Sequence, residues 1–203
     1  MAAESLQTEL LIKETAKSIF FKKGLLGATT QEIADEAGVN RALIHYYFRN
    51  REQLIETVLD EALNETREKI HTIFQSQEPF KQKISKYLDI FIDRDVEYPY
   101  IQNFIITEMT RNPERMKELS SRKKNYMQKM MIPELKKEMA AGNVPSMEPD
   151  HFVVNLMSMC SYPLIAKPFI QDVFSFDTKD YKAFLKERKK VIYKVLFQEE
   201  FVE

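Results

Sequence analysis

The sequence predicts an all-α protein, and three observations lead there. Apolar residues recur three and four apart in one segment after another, the mark of helices with one buried stripe. The segments are punctuated by glycine at the front and proline at the rear: Gly24, Gly27 and Gly38 precede residue 40, and all eight prolines lie from Pro79 onward. No stretch alternates convincingly between apolar and polar residues, and nothing repeats at a fixed period. With 203 residues, 44% apolar and 30% charged, the chain suits a folded, soluble protein with a sizeable core.

The elements follow in order. Residues 5–23 form a helix with Ile12, Ala16, Ile19 and Phe20 on one face; Lys22 and Lys23 suit its C-terminal dipole, and Gly24 ends it. Thr29 and Glu32 have capping-box spacing, so a second helix starts there, with Ile33, Ala34 and Ala37 as its buried side. Gly38 permits the left-handed turn that ends it, and Asn40 caps a third helix from Arg41 to about Phe48. That helix has Ile44, Tyr47 and Phe48 to bury and carries Arg41, Ala42, His45 and Tyr46 on its other face. Helices this short need a scaffold, which the first helix supplies.

A long helix over 52–75 follows, with Leu54, Ile55, Val58, Leu59, Ala62, Ile70, Ile73 and Phe74 in register. Pro79 breaks the chain before a helix over 80–98 bearing Ile84, Tyr87, Leu88, Phe91 and Ile92. A shorter helix holds Ile101, Phe104, Ile105 and Met109. The next runs from Pro113 or Glu114 to Ala141, kinked at Pro133. The last two span 150–163 and 178–197.

Two short helices joined by a capped glycine turn form a helix-turn-helix, which lays its second helix in the major groove of DNA. Arginine can fork onto guanine or pair with phosphate, and Ala42 can meet a thymine methyl. Tyr46 and Tyr47 offer hydroxyls to phosphate. Between Ala37 and Arg51 there are three arginines and no carboxylate, although residues 1–51 as a whole carry seven basic against six acidic groups. Thr30 and Gln31 stand at a helix start, whose N–H groups suit a phosphate. From these residues alone, a purely structural helical hairpin is the alternative.

The order FFKKG, then ATTQEIADEAGVNRALIHYYFRNREQL, resembles the N-terminal domain of TetR/AcrR-type transcriptional regulators. The shared pattern is carried by Thr29, Thr30, Ile33, Ala34, Ala37 to Val39, Asn40, Tyr46 to Phe48, Arg51, Glu52 and Leu54. His45 stands where the family usually has Tyr, Tyr47 where it has His, and Leu43 where a small residue is common. Base preference is therefore not transferable from a relative. Leu43 either touches a base or packs.

The resemblance implies a three-helix DNA-binding head, residues 1–51, and a helical ligand-binding and dimerisation domain, residues 52–203. DNA-contacting positions are Thr29, Thr30, Gln31, Arg41, Ala42, Leu43, His45, Tyr46, Tyr47 and Arg51. A pocket for a small apolar or amphipathic effector would draw on Phe91, Tyr98, Phe104, Ile105, Met109, Tyr126, Met127, Met130, Met157 and Cys160; each of these also suits an ordinary core. The last two long helices would pair with their copies through Phe152, Leu156, Met159, Phe184, Arg188, Val191 and Val195. The implied protein is a homodimeric regulator, a repressor, holding an inverted-repeat operator in double-stranded DNA until its effector binds. A DNA-organising protein of the same fold without an effector is the alternative.

Other classes find little support in the sequence. His45, His71 and His151 lack metal-ligand spacing, no glycine-rich phosphate loop is present, and no nucleophile sits beside a base, so neither catalysis, metal nor cofactor is expected. The single cysteine, Cys160, points to a reducing compartment, and Asn155 and Pro163 interrupt the longest apolar stretch. A cytoplasmic protein without membrane contact is expected.

Overall fold

In a computed structural model, which describes residues 2–111, 114, 117, 127–199 and 201, those residues form helices joined by turns and loops, with no strand among them. The helices are α1 (Ala2–Lys17), α2 (Thr30–Ala37), α3 (Arg41–Phe48), α4 (Arg51–Gln75), α5 (Phe80–Glu97), α6 (Ile101–Arg111), α7 (Ile132–Ala140), α8 (Pro149–Ile165), α9 (Lys167–Val173) and α10 (Thr178–Phe197). Wide π turns extend α1 over Ser18–Lys22 and precede α7 over Met127–Met131. The middle of the helix expected from Pro113 or Glu114 to Ala141, residues 118–126, lies outside the described residues.

Two apolar clusters organise the chain. The head cluster joins Ile12, Ala16, Ile19, Phe20 and Phe21 to Ile33, Ala34, Ile44, Phe48 and the first half of α4, Leu54 to Ala62. Burying each phenylalanine there stabilises by about 1.5–3 kcal/mol. The rear cluster joins Phe74, Phe80, Ile84, Leu88, Leu135, Phe152, Leu156, Leu185 and Ile192. α4 therefore passes from one cluster into the other. Ile101 and Phe104 of α6 also enter the head cluster, so the packing unit extends beyond residue 51.

Local chemistry sets the boundaries. Asn50 caps α4 by accepting from the Gln53 N–H at 2.8 Å. Asp177 and Asp180 form a capping box at the start of α10. Pro149 opens α8 from its first turn, where its missing N–H costs nothing. Pro163 does not end α8; it lies in the last turn, and Tyr181 donates its hydroxyl proton to the Pro163 carbonyl. α9 has no counterpart in the sequence reading: its Phe169 and Val173 face outward and only Ile170 is buried, so no inward stripe reveals it.

Candidate nucleic-acid interface

The head presents one constructed surface. Thr29 Oγ1 accepts from the Glu32 N–H at 3.2 Å, and Thr29 N–H donates to Glu32 Oε2 at 2.7 Å. The Thr29 backbone and hydroxyl bonds hold the Glu32 carboxyl below the usual carboxylate range. Gly38 adopts φ 66°, and its N–H reaches the Ala34 and Asp35 carbonyls. Asn40 Oδ1 then accepts from Ala42 N–H at 2.8 Å and starts α3.

On α3, Ile44 and Phe48 are buried, while Arg41, Ala42, His45 and Tyr46 are exposed together, as the sequence implied. Arg41 Nε donates to Thr30 Oγ1 at 3.1 Å, which brings the starts of α2 and α3 to one patch. Tyr46 is the most exposed large apolar side chain among the described residues at 74%, and its ring meets Tyr47 edge-on at 5.0 Å. Tyr47 is half-buried, its hydroxyl 3.0 Å from Ser5 Oγ of α1. Thr29 and Gln31 are exposed at the same end of α2, Thr30 half-buried between them; Gln31 also bonds Asp35 at 2.7 Å.

Two positions depart from the expected set. Leu43 is half-buried against the head cluster, so it packs. Arg51 turns inward: Nε donates to the Ala28 carbonyl at 2.6 Å, another nitrogen to the Leu26 carbonyl, and the guanidinium lies over the Phe20 ring at 5.5 Å. It ties the loop before α2 to α4. Arg49, not singled out from the sequence, is exposed at the end of α3 with φ 63°.

The expected pocket residues do not come together. Tyr98, Phe104 and Ile105 pack with the head cluster; Phe104 meets Phe21 edge-on at 5.5 Å. Phe91 and Cys160 are buried in the rear cluster, with Met127 and Met130 packed against it. The split arises because α6 packs both on the π turn after α1 and on α8. Met157 is half-buried. The Met109 side chain and Tyr126 lie outside the described residues. A small cleft with about 10 Å³ of free volume, room for about one water, is lined by Ile92, Cys160, Leu164, Leu185, Arg188 and Ile192.

The expected dimer face is also corrected. Phe152 and Leu156 are fully buried within their own protomer, because the inward stripe of α8 takes them into the rear cluster. Val154 and Tyr162 are exposed instead, at 60% and 58%. On α10, Val191 and Val195 are exposed, Phe184 is half-buried, and Arg188 belongs to the inward stripe with Leu185 and Ile192. Met159 is half-buried against the rear cluster.

Residues 12–58 match the family model described as bacterial regulatory proteins, tetR family. Over 194 residues, 93% of this chain and 87% of the relative, the chain is 25% identical to YttP of Bacillus subtilis (strain 168), named a probable HTH-type transcriptional regulator. It is 33% identical over 75 residues to the HTH-type transcriptional regulator TtgR of Pseudomonas putida, covering 37% of this chain and 35% of that one. Its fold matches the crystal structure of AibR in complex with isovaleryl coenzyme A and operator DNA, with a TM-score of 0.72 and 16% identity over 96% of this chain and 100% of that one. Among the described residues, no single helix is long and apolar enough to cross a membrane. The capped helix pair and its exposed third helix lie within the stretch that matches the tetR family of bacterial regulatory proteins, and the chain as a whole is similar in fold to regulators of that type.

Proposed function

We propose that the chain is a homodimeric repressor that releases a palindromic operator when a small effector occupies its rear domain. The observation that carries the reading is the outward face of α3: Arg41, Ala42, His45 and Tyr46 are exposed together on a helix whose start is capped and whose other side is core. Arg41 forks onto a base edge, Ala42 admits close approach, and Tyr46 reaches phosphate or sugar. The start of α2 at Thr29, Thr30 and Gln31 takes a backbone phosphate. Arg49 serves the phosphates beside α3, and Arg51 positions the head from behind.

The outer faces of α8 and α10, with Val154, Tyr162, Val191 and Val195, pair with their copies and set the distance between two reading helices. α4 links the two clusters, with the head taken as residues 1–51 in chain order. An effector that prefers a different arrangement of these clusters shifts the population away from the DNA-fitting form. AibR, a structural neighbour, has been solved with both an acyl-coenzyme A and operator DNA, which supports pairing these two functions on one fold. No catalytic step is assigned.

The test is selection of bound duplexes from a random DNA library at fixed physiological salt, because phosphate contacts make affinity strongly salt-dependent. An enriched inverted repeat supports the reading. Weak binding without enrichment that vanishes as salt rises contradicts it.

A further inference from the structure

Side-chain bonds hold the exposed helix α3 at both ends, each to a different element. Arg41 ties its start to Thr30 of α2, and Tyr47, in its last turn, shares a hydrogen bond of 3.0 Å with the Ser5 hydroxyl near the start of α1. Tyr47 is half-buried, packed against the head cluster with its ring tilted to Phe48 at 6.2 Å, so the core and α1 together set its place. Tyr46 has the opposite character. It is largely exposed, and the Tyr47 ring meets it edge-on at 5.0 Å. An exposed tyrosine is free to sample its staggered side-chain states, and an edge-to-face neighbour favours one of them. Ser5 therefore holds Tyr47, and Tyr47 holds Tyr46.

From this we propose that Ser5 and Tyr47 are positioning residues for DNA recognition, which act through Tyr46 and do not touch the duplex themselves. The proposal deepens the reading of α3 as the DNA-contacting helix and rests on it. The sequence places Tyr46 and Tyr47 side by side as two phosphate donors; the structure divides their work. The Tyr47 hydroxyl is committed to α1, and the Tyr46 hydroxyl is left to the phosphate or sugar. Ordering an exposed side chain on binding costs affinity, and a side chain already held in its bound direction avoids part of that cost. The Ser5 bond also gives the start of α1 a part in recognition, since it fixes the last turn of α3 as Arg41 and Thr30 fix the first.

The experiment measures the affinity of the full chain, at fixed salt, for the duplex that wild type enriches from a random library. The variants are Ser5→Ala, Ser5→Thr, Tyr47→Phe, the double Ser5→Ala with Tyr47→Phe, and each of these in a Tyr46→Ala background. Ser5→Ala and Tyr47→Phe are each expected to weaken binding by about two- to tenfold, the range one hydrogen bond supplies, with helical circular dichroism unchanged at the assay temperature. The double variant should lose no more than either single one, because both break the same bond. Ser5→Thr, which keeps the hydroxyl, should bind like wild type. With Tyr46→Ala in place, neither substitution should weaken binding further, an outcome that a merely structural role does not give. A loss from Tyr47→Phe alone, with Ser5→Ala like wild type, would make the Tyr47 hydroxyl a direct phosphate donor and overturn the proposal. Losses that persist without Tyr46, or that accompany a loss of helix, overturn it too. If wild type enriches no repeat, the reading of α3 falls and this inference with it. An enriched repeat whose affinity ignores both Ser5→Ala and Tyr47→Phe sinks this inference alone.

Discussion

The ring of Tyr100 lies across Gly24 so closely that a Cβ at Gly24 would sit 2.8 Å from two of its carbons. Gly24 has φ 73°, and the Tyr100 N–H donates to the Phe21 carbonyl at 3.0 Å. The end of the scaffold helix is thereby clasped to the turn between α5 and α6. Lys167 lies over the Tyr100 ring at 5.7 Å and over Tyr181 at 5.6 Å, so the clasp continues into α9 and α10. Besides α4, this is a second physical connection between head and rear domain.

Gly24→Ala combines an unfavourable φ with displacement of that ring. It is expected to destabilise by about 1–3 kcal/mol in urea unfolding. The double variant with Tyr100→Ala recovers the part due to the ring contact, and a purely additive double variant would show that the ring contact contributes nothing.

Arg51→Ala removes two bonds to the Leu26 and Ala28 carbonyls from a charged donor. It is expected to lower the stability of the head by about 1.5–3 kcal/mol. Arg51→Lys, which lacks the planar fork, should recover little of this. Relaxed base preference with unchanged thermal stability would instead return Arg51 to the DNA contacts.

Val195→Glu places a charge on the outer face of α10, where Val195 is 59% exposed. The variant should be monomeric in sedimentation equilibrium and keep its helical circular dichroism. Phe152→Ala, in the rear core, should instead cost about 3–5 kcal/mol of stability. A dimer unaffected by Val195→Glu would move the interface elsewhere.

Burial works to raise the Glu61 carboxyl, but bonds to Lys13 at 2.7 Å and to Lys17 at 3.2 Å outweigh it and hold it below the usual carboxylate range. Because the folded value is depressed, this stabilisation is present above the ordinary carboxylate pKa of about 4.3 and lost as pH falls through the folded value. Glu61 is over a third exposed, so the effect is at most about 1 kcal/mol after solvent screening. Glu61→Gln should be less stable than wild type at pH 7, and the gap should close in unfolding curves taken progressively below a pH of about 4.3.

The head is legible in the sequence because its signals are local. Thr29 with Glu32, Gly38 and Asn40 each fix a backbone group within four residues, and each behaves in the structure as its residue type requires. The rear domain has fewer such signals. Periodicity identifies a helix face but not the neighbour it meets, so Phe104 and Ile105 pack with the head and Phe152 turns inward. Arg51 misleads for a related reason: a cation near a reading helix suits phosphate and carbonyl acceptors equally well. Only the position of the Leu26 and Ala28 carbonyls, set by tertiary packing, decides between them.

The most direct test of the account is a paired DNA selection with wild type and Arg41→Ala. Arg41 is exposed at the start of α3, and its Nε bond to Thr30 lies on the surface of the head, so the variant should fold normally. Wild type should enrich an inverted repeat. Arg41→Ala should recover the same repeat with one symmetric pair of positions relaxed, at a cost of about 1–3 kcal/mol on the preferred base. Identical base preferences for both proteins, or no repeat enriched by wild type, would contradict the claim that α3 reads DNA.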